Sequence, residues 1–200
     1  MATTHDGLLV FSDVITSVLC FSDESDDCVA SLKLPYQPWD ISSIPDSTTL
    51  AISCRSNPYV MLVDSKRRNI LNCLPLDVEG DKVTGNDFFA ITASKRNIYV
   101  GFRNKIIVVD LQGKVLKSMY VNADTRIFYL TLCPNNYLCY TCMGSDVSCV
   151  TNEGTLVFSH KLSHPRKVVV DNVGNVYVID ENSQITKLSS NGLMIKVILT

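Results

Sequence analysis

Three features of the sequence predict an all-β fold of four-stranded antiparallel blades, a β-propeller. Short apolar runs alternate with links rich in Gly, Asn, Lys, Ser and Asp, of the length that joins hairpin strands. One run-and-turn pattern recurs about every 40 residues, the period of a propeller blade. No stretch carries an i, i+3, i+4, i+7 apolar stripe long enough for a helix. Runs such as Ile106–Val109 and Val168–Val170 are apolar at every position. A strand covered on both faces needs that pattern, whereas a sheet with one wet face alternates.

The recurrence is clearest between "NIYVGFRNK", starting at Asn97, and "NVYVIDENS", starting at Asn175. A middle copy runs from Leu138-Cys139-Tyr140 to the turn Asn152-Glu153-Gly154. An earlier one holds Leu50-Ala51-Ile52-Ser53, then "YVMLVD" and the basic turn Lys66-Arg67-Arg68. Each copy divides into four runs; for the second they span 88–92, 97–101, 105–110 and 114–119. Residues 1–34 hold only three, "GLLVFSD", "SVLCFSD" and "CVASLKL", and read as a partial blade lacking its first strand. The expected organisation is therefore one propeller domain: the partial blade over 1–34, then four full blades over 35–200. Such a chain is expected to close a ring only if the missing strand comes from elsewhere; otherwise it is an incomplete or open ring, a piece of a longer propeller. An open apolar blade face would be a route to self-association.

Composition narrows the function classes. Hydrophobic residues make up 46% of the 200-residue chain, ample for a core, and the net charge of −2 gives no general drive toward nucleic acid or anionic membranes. The one dense charge run, residues 22–27, reads as a solvated turn. The N-terminal stretch lacks a basic n-region, with His5-Asp6 and Asp13 interrupting it. No window is long and apolar enough to span a membrane, and no Asn-x-Ser/Thr sequon occurs. These observations lead us to expect a soluble cytoplasmic protein.

Eight cysteines are present. Only Cys139 and Cys142 form a CxxC pair, without the second pair or nearby His that a structural zinc site uses. Cys139 also lies in a strand-like run. The cysteines therefore read as buried reduced thiols acting as small hydrophobes, and no metal or cofactor is expected. His160 and His164 are four apart across a link between strands, a spacing that does not converge on a metal.

The final copy, "HPRKVVVDNVGNVYVIDENSQI", resembles the NHL repeat in Pro165, Asp171, Gly174-Asn175, Val176-Tyr177-Val178, Asp180 and Asn182-Ser183-Gln184-Ile185. The second copy keeps Asn97-Ile98-Tyr99-Val100 and Asn104-Lys105-Ile106; Ser183 and Lys105 stand where the motif has His. "PWDIS", residues 38–42, resembles the Pro-led first strand, with Trp39 as a packing residue. The resemblance covers about residues 35–200 and is similar to the C-terminal propeller of TRIM-NHL proteins. It implies a non-catalytic platform for protein or peptide recognition, like the substrate-recognition end of such ubiquitin ligases. This chain has no RING or B-box spacing and no heptad stretch, so none of its residues inherits the ligase chemistry.

In a four-stranded meander, the link from second to third strand and the link between blades share one edge. That edge would collect Arg55, Arg103, Lys105, Arg166 and Lys167, together with Lys33, Lys82 and Arg126. Asp87, Asp124, Asp146, Asp180 and Glu181 interleave with them. The first five are the candidate ligand-binding residues. Family members use this face for protein segments or single-stranded RNA, so RNA binding is the alternative reading. RNA would need a contiguous basic groove with stacking aromatics, and Tyr36, Trp39 and Phe102 are the candidates. A metal-dependent propeller hydrolase or lactonase is a more distant third. The strands that would line the channel offer only Asp40 and Asp171 as carboxylates, so no catalytic residue is assigned and the chain is not expected to be an enzyme.

Overall fold

The computed structural model describes all residues except 5, 6, 24–27, 56, 79, 81, 85, 86, 88, 122–125, 145 and 200. His5-Asp6, most of the acidic run, Phe88 and Asp124 thus lie outside the described residues. The described residues form strands and turns, and no helix is long and apolar enough to cross a membrane.

Among the described residues, twenty strands make five four-stranded antiparallel sheets, the blade pattern of a β-propeller. Blade 1 holds β1 (Ala2–Thr3), β2 (Leu9–Asp13), β3 (Val18–Ser22) and β4 (Cys28–Lys33). Blade 2 holds β5 (Pro38–Ser43), β6 (Thr49–Cys54), β7 (Tyr59–Asp64) and β8 (Asn69–Pro75). Blade 3 holds β9 (Ala90–Ala93), β10 (Asn97–Phe102), β11 (Lys105–Asp110) and β12 (Val115–Tyr120). Blade 4 holds β13 (Ile127–Leu132), β14 (Leu138–Cys142), β15 (Asp146–Val150) and β16 (Leu156–Lys161). Blade 5 holds β17 (Pro165–Val170), β18 (Val176–Asp180), β19 (Ile185–Leu188) and β20 (Met194–Leu199).

The first blade is more complete than its sequence implies. Ala2–Thr3 supplies the expected missing strand, pairing Ala2 with Val10 and Thr3 with Leu9. Two residues cannot display an apolar run, which is why the strand escapes a pattern-based reading.

The chain divides into two compact units, residues 1–100 with 108–117 and residues 101–107 with 118–200. In the first unit β1 and β2 pack beside β5, and β5 and β6 beside β9. Its core gathers Val10, Leu19, Phe21, Ile41, Leu50 and Met61, among others. In the second unit β13, β14 and β15 pack beside β17, around Val147, Phe158, Val168, Val176, Val178 and Leu188.

Strand position within a blade sets burial. The second and third strands of blades 2 to 4 are buried almost throughout, as in Leu138–Cys142, whereas the fourth strands β4, β8, β12 and β16 expose alternate side chains. Ile106–Val109 is buried at every position, as its composition requires. Val168–Val170 is not: Val168 is buried, but Val169 is 51% exposed on the opposite face of β17. β20 also leaves Met194, Ile195, Val197 and Ile198 exposed.

The recurring turns explain the Asp and Gly positions of the repeat. Asp110 Oδ1 accepts the amides of Gln112 (3.0 Å) and Lys114 (2.9 Å), while Gly113 takes a left-handed φ of 90°. Asp171 and Gly174 repeat this arrangement, and Asp180 does so with Ser183 left-handed instead of Gly. Lys66-Arg67-Arg68 forms the β7–β8 hairpin tip, with Asp64 Oδ1 accepting the amides of Lys66 and Arg67.

Candidate functional site

The second unit carries a cleft of about 710 Å³ lined by Arg126, Phe128, Met143, Gly144, His164, Pro165, Arg166 and Glu181. All of these residues come from the start of a first strand or from the links that share its edge. Arg126 and Phe128 lie at the start of β13. Met143 and Gly144 link β14 to β15, and His164 links β16 to β17. Pro165 and Arg166 open β17, and Glu181 follows β18.

Two bulges aim these side chains. Between Ile127 and Tyr129, β13 uses two residues against one on β14. Between Pro165 and Val168, β17 uses three residues against two on β18. A bulge re-aims the side chains around it, and Phe128, Arg166 and Lys167 occupy these positions. The Arg166 guanidinium lies 5.3 Å from the Phe128 ring centre, and Lys167 Nζ lies 4.7 Å from that of Tyr129. β5 carries the equivalent irregularity between Pro38 and Ile41, in the other unit.

The cleft wall is a short polar network. Glu181 pairs with His164 Nδ1 (3.1 Å) and with Arg166 (3.5 Å), and the Glu181 amide donates to the His164 carbonyl (3.2 Å). The Ser163 hydroxyl also meets His164 Nδ1 at 3.1 Å. Thr141, fully buried, donates its hydroxyl to the Arg166 carbonyl at 2.7 Å and ties blade 4 to blade 5. The Met143 amide donates to the Arg126 carbonyl at 3.0 Å, fixing the opposite lip. The cleft thus brings the apolar side chains of Phe128, Met143 and Pro165 together with two arginines, an imidazole and one carboxylate, the Arg166 guanidinium lying over the Phe128 ring.

Among the five predicted binding residues, the structure brings only Arg166 to this cleft, with Lys167 beside it on β17. Arg103 lies on the same type of edge, in the β10–β11 turn with a left-handed φ of 51°, its guanidinium 4.8 Å from the Phe102 ring centre. Lys105 is buried on β11, its Nζ 5.2 Å from the Tyr120 ring centre. Arg55 belongs to the first unit, where its amide donates to the Gln37 carbonyl. Phe128 and Met143 were not singled out in the sequence. Their signal lies in the strand register, because both flank the edge where β13 begins and β14 ends.

Asp40 and Asp171, the two carboxylates considered for channel chemistry, serve the backbone. Asp40 is buried and accepts the amides of Ile41 (3.0 Å) and Ile91 (3.3 Å), joining β5 to β9. Asp171 accepts from the Asn175 side chain (2.8 Å), the Tyr177 hydroxyl (3.1 Å) and two backbone amides. These bonds, that of the Asn175 side chain foremost, hold its carboxyl below the usual range.

The CxxC pair does not converge either, since residues three apart on β14 face opposite sides. Cys139 instead meets Cys133 and Cys149. Hydrogen bonds from Cys139 and then Cys149 lower the Cys133 thiol's pKa, while the bonding to Cys133, with burial, raises those of its two partners.

No family model matches the sequence, and no curated protein matches it. Solved structures do match the fold. Streptogramin B lyase aligns with a TM-score of 0.77 at 15% identity, over 97% of this chain and 66% of that one. A protein of unknown function from Bacteroides caccae gives 0.73 at 13% identity, over 96% and 72%. Hydrazine synthase of Kuenenia stuttgartiensis gives 0.66 at 16% identity, over 94% and 64%. The chain thus spans 64–72% of the length of these structures. At such identities the likeness shows the propeller-type fold alone.

Proposed function

We propose that the chain is a non-catalytic recognition platform that takes an extended protein or peptide segment in the cleft over Phe128, Met143 and Pro165. The observation that carries this reading is the combination in one cleft of the apolar side chains Phe128, Met143 and Pro165 with the cationic Arg126 and Arg166. An apolar anchor with a carboxylate neighbour matches that chemistry. The NHL resemblance supports the same reading and extends it to substrate recognition for ubiquitin ligases, in the cytoplasm; the chain's own part is recognition.

RNA reading is less well supported by the contacts. Phe102 and Phe128 are buried, with guanidiniums over their rings, and Lys105 is buried against Tyr120. A stacking platform presents open ring faces to bases.

Selection from a random peptide library with the purified chain tests the proposal. Enriched peptides that share an apolar residue beside an acidic one, and that lose binding to Met143→Lys and Arg166→Glu, would support it. Peptides unaffected by both variants would overturn it. So would salt-sensitive retention of single-stranded RNA that disappears with Arg103→Glu/Lys105→Glu.

A further inference from the structure

We propose that Cys133, Cys139 and Cys149 form a three-sulfur site for a thiophilic monovalent ion, Cu(I). Their sulfur atoms all lie within 4.8 Å of one another, and Cys133 Sγ and Cys139 Sγ are 3.2 Å apart. The convergence follows from register. Cys139 and Cys149 are directly paired across β14 and β15. Cys133 follows β13 at the base of the hairpin turn, its amide donating to the Tyr137 carbonyl, and stands diagonal to Cys139 on the same face.

The surroundings select the ion. Val147, Phe158, Val168, Val176, Val178 and Leu188 pack around the three sulfurs in one core cluster. Among the described residues, no His, Asp or Glu joins the group. Soft thiolate donors without nitrogen or oxygen ligands favour Cu(I) over harder ions, and Zn(II) ordinarily takes a fourth ligand. Binding forms three Cu–S bonds and breaks the three S–H bonds, the protons passing to solvent; no electron is transferred. The exposed turn Pro134, Asn135 and Asn136 directly follows Cys133, the Asn136 amide donating to the Cys133 carbonyl at 2.9 Å, and offers the route in. The site occupies the opposite end of blade 4 from the cleft, so neither proposal depends on the other.

The test uses the reduced, metal-free chain without oxygen, titrated with Cu(I) against a chromophoric Cu(I) chelator, with native mass spectrometry for stoichiometry. The proposal expects one equivalent retained per chain, kept by Cys28→Ser and lost by Cys149→Ser and by Cys139→Ala. Thermal melting guards against misfolding: Cu(I) should raise the Tm of the parent chain and of Cys28→Ser but leave that of folded Cys149→Ser unchanged. No retained equivalent in the parent chain would overturn the proposal. An equivalent that survives Cys149→Ser and Cys139→Ala would overturn it as well.

Discussion

Gly192 faces the Phe158 ring so closely that a Cβ built on it would lie 2.4 Å from Phe158 Cγ. Gly192 closes the turn before β20 with a φ of 83°, and Phe158 belongs to the core of the second unit. An alanine there meets two obstacles, a left-handed backbone and a side chain that cannot move without disturbing the core. Gly192→Ala should therefore lower stability by about 2–4 kcal/mol. Gly144→Ala, also at positive φ but with open space around its Cβ, should cost only about 1 kcal/mol. Urea unfolding of the two variants against the parent chain measures the difference.

The Asp171 turn should give the last blade a pH signature. Its bonds favour the ionised carboxylate, so the folded-state pKa lies below the unfolded value. The stabilisation is then complete above the unfolded pKa and is lost as pH falls through the folded one. Melting temperatures recorded between about pH 6 and pH 2 should fall less steeply for Asp171→Asn than for the parent chain. At neutral pH the variant should melt lower, because the amide keeps one acceptor oxygen but forfeits the charge-assisted bonds to Asn175 and Tyr177. Parallel pH curves for the two proteins would contradict this account.

How much of this was legible beforehand depends on whether a feature is periodic. Strands such as Lys105–Asp110 announce themselves because both faces are buried and every position from Ile106 to Val109 is apolar. The Asp and Gly turns are equally visible, because each uses a side chain or a left-handed backbone that few residues supply. Ala2–Thr3 was hidden because two residues carry no period. The cleft was half visible. Arg166 and Glu181 fall on the predicted edge, but Met143 lies in a link between strands, and Phe128 reaches the edge through a bulge, which shifts register without marking the sequence. The thiol cluster was concealed for the same reason. CxxC spacing directs attention to Cys142, whereas hairpin register brings Cys133 and Cys149 to Cys139.

Asp40 is expected to be a structural keystone of the first unit. Its buried carboxylate accepts from Ile41 and Ile91, and its own amide donates to the Ser53 hydroxyl at 3.1 Å. Asp40→Ala leaves two buried amides without this acceptor, a loss of about 2–4 kcal/mol. Asp40→Asn retains one acceptor oxygen and should cost roughly half as much. Hydrogen exchange should show the Ile91 amide among the most accelerated sites in Asp40→Ala. A protected Ile91 amide in that variant would mean that β9 is held by other contacts.

Cysteine reactivity should follow burial. Cys28 is exposed, whereas burial, with the neighbouring Cys73, pushes the Cys54 thiol up to about 12. Brief alkylation of the folded chain near neutral pH should label Cys28 well ahead of Cys54. Cys54 should become reactive only in denaturant, along the same curve as global unfolding. Peptide mapping by mass spectrometry after timed iodoacetamide exposure reads both rates. Early labelling of Cys54 would show that β6 opens locally at its Cys54 end.

Thr141 offers a way to separate the architecture of the cleft from its contacts. Its hydroxyl donates to the Arg166 carbonyl inside the β17 bulge, so it holds the backbone that presents the Arg166 side chain. Thr141→Val keeps the shape and removes the donor, with an expected loss of about 1 kcal/mol. Arg166→Ala removes a half-exposed side chain and its ion pair with Glu181, worth at most about 1 kcal/mol at such a surface. The two variants should thus be similar in stability yet differ in where they act. Thr141→Val should speed hydrogen exchange along β17 around Val168, whereas Arg166→Ala should leave that exchange unchanged and weaken peptide binding directly. If Arg166→Ala instead loosened β17, the guanidinium stacked on Phe128 would be part of the scaffold, and the bulge would depend on it.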